Sequence, residues 1–409
     1  MSSSAAVRTP HSTSPTAAGP DTGGSGTATP AQRAAAVARV AERHLAETDR
    51  EASFPEQALA EMRRTGLLGL LVPEEEGGLG GTVSDLIDTG MVLGRTDMSV
   101  AMVFVMHCQQ AAAIVRHARS PLREELLPLL ASGQLYLASV TTESGKGADL
   151  FTSQEPLREA DGMLEVRRTV PISTGGTVAD GFLITMRSPH ATADQHVSLV
   201  YAHRDQLDVE VAGQWCPMGM RATHSLPLTL TGRIPAHQVI GEHGAFHRIV
   251  QSVFGPLAHL GWSAAWLGTA AGALSRVIRL LRDPAARKRL DLRSELLLTR
   301  LARARRRLDV VHALLRRTEA VALSGTDWTD TGSRLLLNNL KVTAAEECYA
   351  AVDELIDAVG LRHGYLQDSP TRLEKALRDL RSAALNYSND RLLLANGNLC
   401  LLDPEVRFG

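Results

Sequence analysis

Between Ser139 and Asp149 the chain reads Ser-Val-Thr-Thr-Glu-Ser-Gly-Lys-Gly-Ala-Asp. Adjacent threonine hydroxyls beside a glycine turn supply hydrogen-bonding groups of the kind that fix the edge of a small molecule. A second polar cluster, Pro171-Ile172-Ser173-Thr174-Gly175-Gly176, ends a β-branched run. A third, Gly219-Met220-Arg221-Ala222-Thr223-His224-Ser225, has the composition of a turn. His259 stands alone in an otherwise apolar stretch. Its free pKa lies near neutrality, so it is either a general base or a satisfied structural histidine. Tyr387, in Asn386-Tyr387-Ser388, is a weaker base because a phenol is mostly protonated at pH 7. Asp390 is the next carboxylate, and it could equally cap a helix or pair with Arg391. Basic residues crowd the segment from Arg287 to Arg307, including Lys288, Arg289, Arg293, Arg300 and Arg303. They read as a site for a pyrophosphate or an acidic carrier protein, or as a solvated helix face; for most of them the solvated face is the simpler account.

The elements that position these residues follow from pattern. The chain has 409 residues, 44% of them hydrophobic, which suffices for a large core divided into two or three domains. With 43 basic against 45 acidic residues, the balance gives no electrostatic footprint for nucleic acid. Four scattered cysteines, Cys108, Cys216, Cys348 and Cys400, form no zinc or disulfide spacing, so a reducing cytoplasm is expected. Residues 1–30 are mostly Ser, Thr, Gly, Ala and Pro, with almost no large apolar residue, which predicts a disordered tail without a secretion signal. No run of uncharged apolar residues suggests a membrane span.

Residues 31–135 carry helical spacing, with a second helix opening at Phe54-Pro55-Glu56 and a third, nearly all apolar, through Met91 to Ala113. Between them, Leu67–Gly81 is an apolar run ended by a glycine-rich turn. From 136 to 245 short β-branched runs alternate with turn signals, as in LEVRRTVPIS, GFLITMRS, HVSLVYAH and LPLTLTGRI, predicting antiparallel strands. From 246 to 409 long helical segments return: Ile249–Leu281, Leu290–Leu323, Ser333–Val359 and Pro370–Leu385. The expectation is an α+β chain: a helical domain, a central antiparallel β domain, and a helical bundle.

That order, with the polar clusters above, resembles the acyl-CoA dehydrogenase superfamily over nearly all of residues 50–390. The 139–149 loop is similar to the family's Thr-Glu-Pro-Gly-x-Gly-Ser-Asp. The 171–176 strand end resembles Trp-Ile-Thr-Asn-Gly-Gly, and 219–225 resembles Gly-x-Arg-x-Ser-x-Thr. Ile234-Pro235-Ala236 resembles Val-Pro-Ala. Leu377-Arg378-Asp379 resembles the Arg-Asp that precedes the active-site loop. The resemblance implies a C-terminal four-helix bundle and bound FAD, with Thr141, Thr142, Ser173 and Thr174 at the flavin ring. It places Gly147 and Ala148 at the thioester substrate. Asp357 and Gly360, in a stretch resembling Gln-x-x-Gly-Gly-x-Gly, would face a partner subunit's cofactor. Arg293, or else Arg287 or Arg289, would substitute for an arginine on the pyrophosphate. A homodimer or homotetramer follows from that shared site.

The sequence also departs from the family. Pro171 replaces a ring-shielding tryptophan, and Ala148 replaces a serine that often contacts the substrate. Members of the family take the substrate's α-proton with a glutamate as the β-carbon gives up a hydride. Neither usual glutamate position holds a carboxylate: the loop reads Asn386-Tyr387-Ser388, and the alternative helical position is Ala258, beside His259. The expected activity is α,β-desaturation of an acyl group on CoA or a carrier protein in specialised metabolism, with His259 or Tyr387 as base. The alternatives are flavin oxygenation of a carbon or nitrogen, an amine substrate included, or oxidative decarboxylation of a β-keto acid, which need no such base, and a non-catalytic flavin-binding protein.

Overall fold

The computed structural model describes residues 28–144, 150–287, 291–326, 328–403 and 405–406. Helix α1 (Pro30–Glu51) begins earlier than the sequence implies. Thr29 and Gln32 form a reciprocal capping box, and Pro30 occupies the first turn, where its missing N–H has no helical partner to lose. The remainder of the expected tail, residues 1–27, lies outside the described residues. After α2 (Glu56–Arg64), the expected third helix is two: α3 (Val83–Thr96) and α4 (Met98–His117). Asp97 separates them. Its backbone is extended and its side chain accepts from Ser99 N–H, so it caps α4. By length and composition α4 could cross a membrane, contrary to the sequence expectation, but it is buried inside the helical domain. Helix α5 (Leu122–Ala131) completes that region.

Two four-stranded sheets follow. The first has the order β1 (Leu137–Val140), β4 (Gly181–Arg187), β5 (Val197–His203), β8 (Val239–Ile240). The second runs β2 (Arg158–Ala160), β3 (Met163–Val170), β7 (Leu228–Pro235), β6 (Leu207–Val211). Pairing is antiparallel as expected, except that β1 runs parallel to β4. A parallel pair requires a long crossover, and residues 141–180 supply it with β2, β3 and the 171–176 turn. That crossover places both hydroxyl clusters beside the end of β1.

The C-terminal part opens with α6 (Phe246–Ile249), which passes through a wide turn at Val250–Phe254 into α7 (Gly255–Arg282). Pro256 cannot donate a helical bond, so the preceding turn widens. Two α4 side chains meet its carbonyls: Arg116 donates to Ser252 O at 3.1 Å and Gln109 to Phe254 O at 2.8 Å. The short α8 (Pro284–Arg287) leads to α9 (Glu295–Leu323), α10 (Thr331–Gly360), α11 (Leu373–Arg381) and α12 (Asn389–Cys400). Helices α3 and α7 pack backbone to backbone. A Cβ on Gly268 would meet Met91 O at 2.4 Å, and one on Gly272 would meet Arg95 O at 2.5 Å.

The three regions meet around one buried ammonium. Lys375 Nζ lies 2.7 Å from Asp379 Oδ2, one turn along α11, and 3.4 Å from Asp97 Oδ1 at the start of α4. Asp379 Oδ1 accepts the Met220 N–H at 2.6 Å, which brings in the β region. The two carboxylates hold Lys375 firmly protonated despite its burial. Arg378 adds a ring around this core, pairing with Asp49 of α1 at 2.7 Å and with Glu374 at 2.7 Å. Gly219 permits the approach, since a Cβ there would lie 2.1 Å from Arg378 O. Replacing Lys375 by Met leaves two aspartates buried without their cation. Chemical denaturation should show a loss of about 3–5 kcal/mol, the scale for breaking a buried pair from one side.

Candidate functional site

Thr141 and Thr142 leave the end of β1, and Ser173 and Thr174 lie where the chain turns after β3. Ser173 Oγ donates to Ser139 O at 3.3 Å, and Thr142 Oγ1 donates to Ile172 O at 3.4 Å, so the two clusters form one cradle. Ser139 and Thr141 hydroxyls are 3.2 Å apart. Ile172 is 53% exposed beside these hydroxyls, giving an apolar face next to polar edges. The loop is fixed from behind by Glu143. Its carboxylate pairs with Arg168 and accepts from Ser153 Oγ at 3.1 Å and Gln154 N–H at 3.2 Å. Arg168 Nη2 also donates to Thr142 O at 3.1 Å. Glu143 is therefore engaged in holding the cradle. Gly147 and Ala148 lie outside the described residues.

A chain of hydroxyls runs from the cradle to the helical region. Thr174 Oγ1 lies 3.1 Å from Ser225 Oγ, which donates to Thr223 Oγ1 at 2.8 Å; Thr223 Oγ1 donates to Met220 O at 2.8 Å. Met220 N–H then meets Asp379 on α11. The segment that follows α11 carries Tyr387, whose φ of 51° bends the chain back just before α12. Lys341 of α10 holds that bend. Its Nζ donates to Ala383 O at 3.0 Å, Tyr387 O at 2.9 Å and Asn389 Oδ1 at 2.7 Å. All three of its protons are committed to protein acceptors. Burial lowers its pKa to about 8.

The structure brings His259 and Tyr387 together, with ring centroids 6.3 Å apart. It also places His259 where its basicity is lowered. Burial, reinforced by the Lys341 ammonium, pushes the imidazole down to about 3. A group whose conjugate acid is that strong is a poor proton acceptor near neutral pH. The carboxylates close in sequence offer no substitute: Asp390 is exposed, and Glu346 is exposed and accepts from Asn389 Nδ2 at 3.2 Å.

The remaining expected residues sit elsewhere. Asp357 pairs with Arg300 at 3.1 Å, tying α10 to α9, and Gly360 ends α10 with a φ of 71°. Arg293 is nearly fully exposed, 3.7 Å from Asp291 in the turn before α9. Their contacts within the chain lie in and beside α9 and α10. A surface cavity of about 500 Å³ lined by Arg39, Arg95, Arg276 and Arg372 opens near the far end of α7, away from His259.

Sequence reading missed Arg168, Lys341 and the residues around His259. Arg168 had a signal, because it takes an inward position in the alternation Leu164, Val166, Arg168, Val170. Lys341 had one too, lying on the buried stripe of Leu337, Leu340, Ala344 and Ala345.

The family model of the acyl-CoA dehydrogenase N-terminal domain matches residues 29–134, and that of the C-terminal domain matches residues 257–385. Probable acyl-CoA dehydrogenase FadE25 of Mycobacterium tuberculosis (strain ATCC 25618 / H37Rv) is 26% identical over 351 residues, covering 83% of this chain and 85% of that protein. FMN-bound TdsC from Paenibacillus sp. A11-2 matches with a TM-score of 0.81 at 20% identity, covering 93% of this chain and 98% of that one. Butyryl-CoA dehydrogenase from Megasphaera elsdenii matches with a TM-score of 0.80 at 18% identity, covering 91% and 97%. At these identities the structural likeness establishes the fold.

Two histidines should resist protonation. His107 accepts the Leu137 N–H on Nδ1 at 3.1 Å and has Nε2 2.9 Å from Leu68 O, and burial lowers it to about 4. Both His107 and His259 are neutral when folded and gain a proton below about pH 6.5 when unfolded. The unfolded chain then binds more protons, so stability falls as pH drops through 6.5 and continues to fall until the folded values are reached. For His107 alone the loss by pH 4 is roughly 3 kcal/mol. NMR of labelled histidines between pH 8 and 5 should find these two rings unchanged; a transition near 6.5 for either would contradict the assignment.

Proposed function

The chain belongs to the acyl-CoA dehydrogenase family, and from that premise we propose an FAD-dependent oxidoreductase of acyl thioesters or related carbonyl compounds whose chemistry does not begin with proton removal by a carboxylate. The observation that carries this reading is the cradle of Thr141, Thr142, Ser173 and Thr174 joined by its hydroxyl chain to the segment bearing Tyr387. Hydroxyls at a ring's edge beside an exposed isoleucine match what a flavin requires of its site, polar groups for its oxygens and nitrogens and an apolar wall for its face. A flavin held there supplies a two-electron acceptor. The hydroxyls of the cradle would orient it.

Simple desaturation needs a group to take the α-proton. His259 is disfavoured by its depressed pKa, and Asp390 is turned to solvent. That combination favours the second class, oxidative decarboxylation or oxygenation. Loss of CO2 from a free carboxylate β to a ketone or thioester carbonyl leaves an enolate without any base, and the Lys341 ammonium favours an anion in its neighbourhood. The substrate would arrive on CoA or a carrier protein. We further propose a homodimer or homotetramer. Exposed Leu361, Tyr365 and Leu366 beyond α10, and Leu393, Leu394 and Leu401 on and after α12, are apolar surface of the kind that subunit interfaces cover.

The purified protein should be yellow and release FAD on acid treatment. Anaerobic mixing with a free β-keto acid, or with a 2-alkylmalonyl thioester whose free carboxylate is β to the thioester carbonyl, should reduce the flavin with CO2 released in step, or aerobic mixing of the chemically pre-reduced flavoprotein with substrate should consume oxygen in step with product. Flavin reduction by a saturated acyl-CoA with neither CO2 nor oxygen involved would restore the desaturase. Light scattering should give a mass of two or four chains; a stable flavin-bound monomer would refute the assembly.

A further inference from the structure

The surface cavity of about 500 Å³ near the far end of α7 is lined by arginines from four elements. Arg39 and Arg43 lie one turn apart on α1, and Arg95 lies in the last turn of α3. Arg276 and Arg279 lie on α7, and Arg372 stands immediately before α11. Glu42 is the one carboxylate in the lining, and it pairs with Arg372. The other five arginines have no carboxylate partner among the described residues.

Arg276 is the least exposed to water of these in its surroundings, and its contacts are neutral. Its Nε donates to Thr371 O at 2.7 Å and its Nη1 to Arg95 O at 3.0 Å. Those carbonyls fix the guanidinium without balancing its charge. Burial, and then the Arg372 charge, lower its pKa to about 10, so the chain's own field at this point is positive despite Glu42. Arg95 is also held by a neutral group, with Nη2 donating to Ser275 Oγ at 2.9 Å. Like charges a turn apart on a helix repel, and Arg39 and Arg43 stand in that relation. Arginines that serve only solubility spread over a surface. These converge on one concavity, at a cost that no anion in its lining other than Glu42 offsets.

Residue type and shape narrow what would offset it. All six cations are arginine, whose planar fork meets phosphate oxygens two at a time. The volume is that of a small-molecule site, and a concave wall suits a compact ligand better than a protein face. Cations from four elements are reached together only by a ligand with more than one anionic group. A narrow cleft behind the cavity shares Thr96, Arg276 and Arg372 and reaches Lys375 and Asp379, so a bound anion would sit against the joint between the regions.

We propose that this cavity binds a small molecule carrying two or more linked phosphate groups, free or on a nucleoside, and that the bound anion ties α1, α3, α7 and α11 together. No residue of the hydroxyl cradle lines it, so the proposal stands apart from the flavin reading.

The test titrates the full-length protein as purified, dialysed free of phosphate, with inorganic pyrophosphate, ADP, orthophosphate and hexaglutamate at constant ionic strength, following the heat of binding. Pyrophosphate or ADP should bind saturably, with a dissociation constant on the order of 100 µM or below at about 0.1 M salt. The tighter of the two identifies the source, and orthophosphate should bind about fivefold or more weakly than either. Arg39→Gln and Arg279→Gln, both at exposed positions, should each weaken binding by roughly five- to tenfold. Glu42→Gln removes the opposing charge and should tighten binding by roughly two- to fivefold. A merely structural role would not give opposite signs. Pyrophosphate should also raise the melting temperature, and raise it less in the two arginine variants. No saturable binding of pyrophosphate or ADP, equal affinity for orthophosphate, affinities unmoved by all three substitutions, or tighter binding of hexaglutamate would overturn the proposal. Loss of flavin from either arginine variant would assign the cavity to the cofactor and overturn it as well. A protein that purifies without flavin contradicts the proposed function and leaves this test intact.

Discussion

Lys375 is buried between Asp97, which starts α4, and Asp379, which accepts the Met220 N–H of the β region. The positions of the candidate site residues follow from that contact. The 219–225 turn is fixed on α11, the hydroxyl chain from Thr174 ends at the same aspartate, and the chain leaves α11 aimed at the Tyr387 bend. Removing the charges together with good repacking could be tolerated, because buried ion pairs are weak sources of net stability. Removing one alone could not. The arrangement therefore specifies how three regions meet more than it adds to how tightly they hold.

Much of the fold is legible in the sequence because its signals are local and periodic. The long helices α9 and α10 follow from their apolar spacing, and β3 to β5 and β7 from alternation and turns. The failures have physical causes. Asp97 breaks an apolar run that reads as one helix, since a cap is a single residue within a strong periodic signal. The parallel pairing of β1 with β4 depends on a crossover of some forty residues, which alternation cannot report.

The site was legible in outline only. The hydroxyl cradle was found through motif resemblance, and His259 and Tyr387 do come together. Their acid–base chemistry was not legible, because a pKa depends on what lies around a group in space. The Lys341 ammonium, 82 positions away in the chain from His259, is invisible to a local reading yet lowers its basicity. Arg293, Asp357 and Gly360 were carried over from a pattern, and here they serve or border contacts within the helical region.

The family fold here brings the Lys341 ammonium and the neutral His259 ring together at the Tyr387 bend, where the neighbouring carboxylates Asp390 and Glu346 are exposed. Such a site stabilises negative charge and is badly suited to creating it by deprotonation. A deuterium isotope effect distinguishes these directly. With the thioester that reduces the flavin, labelled at the α-carbon, anaerobic reduction should proceed at the same rate as with the unlabelled compound. A large primary effect from α-deuterium would mean that proton removal limits the reaction, and would contradict the account.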